Sequence, residues 1–200
     1  MNNIEKEIRE VWFENHEAKL KEIDDIGQAL VWKERGTNVY KVVYYMIGNK
    51  LFISGDLDDA VFDLTWQATL ESFQGINLRN FHSKLSAIEG DEWGWSNQEA
   101  VNYLEEKISY LSSEFNAEEV DEKHIKILEK MKKVASFCQS AKGWENDIAY
   151  VGNDTLFDRL QEYDPDCWEW VFSIGKVIPK KVVAYWVGLQ MAYKQLEKEG

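Results

Sequence analysis

The stretch NVYKVVYYMIGNKLFISGDLDDAVFDLTW, residues 38–66, decides the fold. It is dense in β-branched and aromatic residues, which suit a pleated, half-buried surface. Gly48-Asn49 and Gly55-Asp56-Leu57-Asp58-Asp59 break it with turn chemistry, so it predicts three strands, NVYKVVYYMI, KLFISG and AVFDLTW. QALVWKER, residues 28–35, adds a strand before them, linked through Arg35-Gly36-Thr37-Asn38. Links this short join antiparallel neighbours, hence a four-stranded meander. In the last strand Phe62, Leu64 and Trp66 alternate with Val61, Asp63 and Thr65, which predicts one face packed on helices and one partly wet.

Outward from the sheet the periodicity is helical. Residues 3–17 predict an opening helix, because Ile4, Ile8, Val11 and Trp12 recur at helical spacing. TLESF and NLRNFHSKLSAI predict short helices separated by Gly75. Ser96-Asn97-Gln98-Glu99 is a capping-box sequence ahead of the stripe Ala100, Tyr103, Leu104, Ile108 and Leu111. Asn116 and Glu119 repeat the device for a helix whose apolar face carries Val120, His124, Ile127, Met131, Val134 and Cys138. Asp164-Pro165 starts a further short helix. Pro179 opens the last one, with Val182, Trp186, Leu189, Tyr193 and Leu196 in line. The expected fold is therefore α+β: an N-terminal helix, a four-stranded antiparallel sheet, then a helical C-terminal half. The expected division is an α+β sheet-containing core over 1–115 and a helical subdomain over 116–200 packed on it.

Twenty-three Lys and Arg against thirty-six Asp and Glu give a net charge of −13. Binders of duplex DNA or anionic membranes need clustered cations, so neither role is expected; on charge alone an acidic chain is more often merely soluble, and a basic partner is the other reading. Cys138 and Cys167 have no metal-ligand spacing, the N-terminus shows no secretory signal, and the apolar runs are too short to cross a membrane. A soluble, reduced, cytoplasmic chain is the expectation.

Acidity is concentrated. Residues 143–170 hold Glu145, Asp147, Asp154, Asp158, Glu162, Asp164, Asp166 and Glu169 against the single base Arg159, interleaved with Trp144, Tyr150, Tyr163, Trp168 and Trp170. Such a segment either presents negative charge to a cationic channel or is a solvated helical face with its rings turned inward. The loop EGDEWGW, residues 89–95, repeats the mixture, with Trp93 and Trp95 as core pins or contact residues. The third acidic group is Asp56, Asp58 and Asp59. An oxygen-rich cluster suits magnesium or calcium, but EF-hand spacing is missing, and Gly and Asp are ordinary turn residues. No metal or other cofactor is therefore expected. His16, His82 and His124 are isolated from one another in sequence, and no catalytic signature is present.

ISGDLDDAVFDLTWQATLESFQGINLRNFHSKLSA, residues 53–87, resembles a segment of uncharacterised proteins of bacteriophages, prophages and conjugative elements. In those proteins a strand leads into a Gly-Asp-Leu-Gly turn followed by Ala-Val-Tyr or Ala-Val-Phe and a short helix. Asp58 stands where that pattern has its second Gly. GKVIPKKVVAYWVGLQMAYKQLE, residues 175–197, is similar to the same proteins' C-terminal helix with its Gly-Leu-Gln-Met-Ala core. Some relatives of this type resemble anti-CRISPR proteins directed at type II effectors.

The resemblance implies a counter-defence protein that binds a host guide-RNA nuclease complex through acidic surfaces, in the cytoplasm of the host bacterium. The candidate contact residues are the acids of 143–170, Asp56, Asp58 and Asp59, with Trp93 and Trp95. Two alternatives stand beside it. One is a metal-dependent enzyme promoting guide-RNA cleavage, with the three turn aspartates and a histidine around the ion. The other is a phage accessory or regulatory protein with no defence role.

Overall fold

In chain order, helix α1 (Asn3–Glu7) is followed by strands β1 (His16–Ile23), β2 (Gly27–Glu34), β3 (Val42–Ile47), β4 (Lys50–Gly55) and β5 (Ala60–Asp63), then by helix α2 (Leu78–His82) and strand β6 (Leu85–Ile88). Strand β7 (Gly94–Trp95), helices α3 (Asn97–Glu114), α4 (Glu119–Phe137), α5 (Ala141–Ala149) and α6 (Leu156–Gln161), strand β8 (Lys176–Val177) and helix α7 (Lys180–Glu199) complete the chain. This computed structural model describes residues 3–114, 119–150, 152 and 154–199. The fold class is α+β. None of the described helices is long and apolar enough to cross a membrane.

The chain forms two units, Met1–Glu92 with Ile178–Gly200, and Trp93–Val177. This differs from a boundary near 115. α3 belongs with the other helices of the second unit, and α7 belongs with the sheet because its apolar face completes the sheet's core.

In the first unit the meander has six strands in the order β1-β2-β3-β4-β5-β6, all antiparallel. The two additional strands are its edges. β1 carries Glu17, Lys19, Lys21 and Glu22, and its inward Ala18 and Leu20 are only partly buried, so its apolar signal is weak. Edge charges of this kind also guard against strand addition. β6 lies within NLRNFHSKLSAI, where helix α2 ends at His82 and the chain turns back to pair with β5. The opening helix is likewise shorter than 3–17. It passes into one wide π turn over Ile8–Trp12, closed by Phe13 N–H donating to the Ile8 carbonyl at 2.9 Å. Ile8 is fully buried while Val11 is 68% exposed, so Val11 is not part of the buried line.

Register follows the alternation. Leu30, Tyr44, Ile53 and Ala60 pair across β2 to β5 and are buried. The neighbouring row, Ala29, Tyr45, Phe52, Val61 and Ala87, faces the other way, with Tyr45 40% and Phe52 37% exposed. The two-residue turn Gly48-Asn49 closes β3 and β4, with Gly48 at φ 57°.

Helix α7 covers the buried face. Val182, Val183, Tyr185, Leu189 and Ala192 join Trp32, Tyr44, Met46, Leu51 and Phe62 in one core. Tyr44 Oη, fully buried, donates to the Tyr185 carbonyl at 3.0 Å. That approach requires Gly188, since a β-carbon there would overlap Tyr44 Oη and crowd Trp32.

In the second unit β7 and β8 pair antiparallel, Gly94 with Val177 and Trp95 with Lys176, so the two ends of the unit lie side by side. Its core gathers Ala100, Leu104, Leu128, Met131, Ala135, Ile148, Leu160 and Val171 around Trp144, whose indole N–H donates to the Val171 carbonyl at 2.8 Å. Glu99 N–H donates to Ser96 Oγ at 3.2 Å, a cap at the start of α3. The second expected cap, at Asn116, lies outside the described residues, as does the side chain of Val120.

A double-mutant cycle tests the helix–sheet seam. Gly188→Ala should cost about 1–3 kcal/mol in urea unfolding, as overpacking does. Tyr44→Phe removes the obstructing oxygen, so the double variant should be more stable than the sum of the single losses. Strict additivity would show that the hydroxyl does not set this spacing.

Candidate functional site

The Gly55–Asp59 turn is built by its own side chains. Asp56 Oδ2 accepts from Tyr40 N–H at 2.7 Å, and Asp56 N–H donates to the Lys41 carbonyl at 2.8 Å, tying the turn to the β2–β3 loop. Tyr40 and Asp58 both have positive φ, 54° and 69°. Asp58 is held by Lys181 Nζ at 2.8 Å, and the Tyr185 hydroxyl donates to the Leu57 carbonyl. The carboxylates of Asp58, Asp59 and Glu89 reinforce burial in keeping that phenol protonated. Asp56 and Asp59 are both exposed without an ion-pair partner among the described residues, and Asp59 lacks the backbone hydrogen bond that holds Asp56. With Glu89 it borders a recess of about 410 Å³ on the outward sheet face, floored by Tyr45, Phe52 and Val61. These rings were not singled out by the sequence. The adjacent Tyr44-Tyr45 pair was the available signal, since strand alternation must turn one of the two outward.

Half of the acids of 143–170 serve the second unit's own structure. Glu145 pairs with Lys176 at 3.0 Å. Asp154 accepts from Arg159 Nε at 2.9 Å, and this hydrogen bond holds its carboxyl below the usual range. Asp158 completes a capping box: its backbone N–H donates to Thr155 Oγ1 at 3.0 Å, and its Oδ2 accepts from Thr155 N–H at 3.1 Å. Asp164 accepts from Lys107 Nζ at 3.3 Å and from the Trp170 indole N–H at 3.0 Å, while the Lys107 ammonium sits 4.0 Å over the Trp170 ring.

Around that group lies a recess of about 550 Å³, lined by Tyr103, Glu106, Tyr110, His124 and Tyr163. The Tyr103 phenol is pushed up by burial first, then by the Asp164 and Glu106 carboxylates, and the Lys107 ammonium lines the same recess.

The other four acids, Asp147, Glu162, Asp166 and Glu169, are exposed and have no cation at ion-pair distance among the described residues. Two of them flank an exposed ring. The single 3₁₀ turn Cys167–Glu169 buries Cys167 completely and leaves Trp168 57% exposed, beside Asp166 and Glu169. Of the loop tryptophans, Trp95 stacks on Trp144 with centroids 5.6 Å apart, a pin in the core, whereas Trp93 is about a third exposed at 37%. Tyr150, at 76%, is more exposed than either.

Chemically, these surfaces offer anionic and aromatic contacts. Among the described residues no three His, Cys, Asp or Glu side chains group so as to hold a metal ion. Burial, and then the Asp164 carboxylate, push the Cys167 thiol up to about 11, which disfavours the thiolate. No protein-family model, curated protein or solved structure matches this chain.

The division between structural and free acids is measurable. Thr155→Ala should cost about 1 kcal/mol of unfolding free energy by removing the α6 cap. Asp166→Asn and Glu169→Gln should each stay within about 0.5 kcal/mol of the parent protein in the same experiment. A loss at position 166 or 169 equal to that at 155 would make those acids structural too. Separately, Cys167 should resist iodoacetamide at neutral pH in the folded protein and react after denaturation. Alkylation of the folded chain, read by mass spectrometry, would contradict its burial.

Proposed function

We propose that this protein is a binding protein of a phage or other mobile element that acts stoichiometrically on a basic surface of a host guide-RNA nuclease complex, in the host cytoplasm. The observation that carries the reading is Trp168, more than half exposed, flanked by Asp166 and Glu169, two carboxylates that no cation of the described chain engages. Tryptophan is among the residue types most often dominant at protein interfaces. Uncompensated carboxylates beside it favour a partner that brings lysine or arginine, and speed encounter with it. A guide-RNA nuclease meets that requirement, since it holds its heteroduplex in a strongly basic channel.

The counter-defence setting rests on the resemblance of residues 53–87 and 175–197 to proteins of mobile elements. The electrostatic argument is independent of it and asks only for a basic partner. Asp147 in α5 and Glu162 just after α6 are further exposed carboxylates of the same unit, and Arg159 gives its hydrogen bonds to Asp154.

DNA cleavage by a type II effector, titrated with this protein, should fall to a plateau at one equivalent. The inhibition should weaken as salt rises from about 0.1 M to about 0.3 M, where exposed charges are screened. Trp168→Ala should weaken it about 30-fold, corresponding to a hot-spot loss near 2 kcal/mol. Asp166→Lys with Glu169→Lys should slow association. Unchanged affinity in all three substitutions combined would remove this surface from the reading. No effect of the parent protein on the effector would remove the setting.

A further inference from the structure

The sheet of the first unit has one face covered by α7, and its other face is divided by charge. Strand alternation places Glu17, Lys19 and Lys21 of β1 and Lys33 of β2 on the face opposite the buried Leu30, Trp32 and Tyr44. Across the same face, Asp59 and Glu89 border the recess of about 410 Å³ that Tyr45, Phe52 and Val61 floor. Lys50 and Asp63 are paired with each other, and Glu17 stands opposite Lys33 in the β1–β2 register. Lys19, Lys21, Asp59 and Glu89 are all exposed, and none has an ion-pair partner among the described residues. Beyond the strand ends, Asp24 and Asp25 sit in the β1–β2 turn and Arg35 follows β2. The face thus has a cationic edge, an apolar middle and an anionic edge.

Register fixes how these parts line up. One row crosses the sheet as Lys21, Ala29, Tyr45, Phe52, Val61 and Ala87. The adjacent row runs Lys19, Val31, Val43 and Ser54, and continues to Asp59 and Glu89, where Glu89 N–H donates to the Asp59 carbonyl at 2.9 Å. A two-fold axis along the strands, between β3 and β4, lays a second copy face to face on the first. β1 of one copy then lies over β6 of the other, β2 over β5 and β3 over β4. Tyr45 meets Phe52 of the second copy and Phe52 meets its Tyr45, the self-complementary contact that a two-fold pair requires. The same axis brings Lys19 and Lys21 over Asp59 and Glu89 of the second copy, and does so twice. Strand directions stay aligned, as in sheets packed face to face.

We infer that this sheet face is the interface of a symmetric homodimer. Its occupant must bring acids where this face is cationic, lysines where it is anionic, and an apolar strip between. A second copy does so by symmetry. The basic partner favoured by the Trp168 surface would be repelled at Lys19 and Lys21, so the two surfaces select different occupants. Tyr45 at 40% and Phe52 at 37% exposure are the apolar anchors. Repulsion between two chains of net charge −13 is screened beyond about 8 Å at physiological salt, whereas the edge charges meet at contact.

Sedimentation equilibrium of the full-length protein at about 0.15 M salt should show monomer and dimer, with a Kd below about 100 µM. Lys19→Glu with Lys21→Glu, and separately Asp59→Lys with Glu89→Lys, should each weaken the dimer about tenfold or more. An equimolar mixture of the two variants should regain the parental affinity, because each reversed edge then meets its opposite. A weaker or absent parental dimer overturns the inference. So does a dimer that either variant leaves intact, or a mixture that fails to reassociate. Should a reversed chain fail to fold, as read by circular dichroism, a mixture of isotope-labelled and unlabelled parent decides. Nuclear Overhauser contacts between Tyr45 of one copy and Phe52 of the other support the interface, and their absence rejects it.

Discussion

The contact between Tyr44 and the backbone of α7 at Tyr185 sets the spacing on which the first unit is built. A tyrosine hydroxyl at the centre of a sheet face cannot be buried without a partner, and the one it finds is a helix carbonyl. Reaching it requires the helix to ride low over the sheet, and Gly188 allows that. Once the helix is that close, Trp32, Met46, Leu51 and Phe62 close around Val182, Leu189 and Ala192. The first turns of the same helix are fixed by polar contacts as well: Lys181 to Asp58, and the Tyr185 hydroxyl to the Leu57 carbonyl. Helix position and turn conformation are therefore one problem, solved by residues more than a hundred positions apart in the chain.

That coupling explains what the sequence made legible. The meander of β2 to β5 is written in local alternation and turn residues, and α7 in its Pro179 start and apolar line, so both can be read without knowing any partner. The edge strands are different. β1 has a charged outer row and an inner row whose apolar members are only Ala18 and Leu20, beside His16, and its identity comes from eight paired positions on β2. β6 is a four-residue strand whose register shifts at Val61/Phe62, and nothing within Leu85–Ile88 distinguishes it from the end of a helix. Their strand character resides in the neighbour. The same holds for the division into units, since the membership of α7 is a property of the sheet it covers.

The acidic segment was legible as composition, but composition does not separate the roles of its members. Asp158 is a cap because Thr155 precedes it by three residues, a local signal that sequence does carry. Asp164 is structural because Lys107, fifty-seven positions away, reaches it, and sequence carries no trace of that. Trp144 and Trp168 look equivalent in the segment, yet one is wholly buried with its indole N–H bonded and the other lies largely in water. What distinguishes them is helical phase: Trp144 faces inward with Ile148 one turn on, whereas Trp168 follows the buried Cys167 in a turn too short to hide both.

The same reasoning applies to the cations. Lys176, Lys180 and Lys181 are each spent on a carboxylate of their own unit, Glu145, Glu7 and Asp58. The hydrogen bond from Lys180 is also what chiefly lowers the Glu7 carboxyl. These lysines hold the chain where it leaves one unit and starts α7, and they have little left to offer a ligand. Lys194 and Lys198 sit about four and five turns further along the same helix, exposed and without an ion-pair partner among the described residues, beside a recess that Glu14 also lines. A protein with thirteen surplus negative charges has no shortage of carboxylates with which to neutralise two lysines.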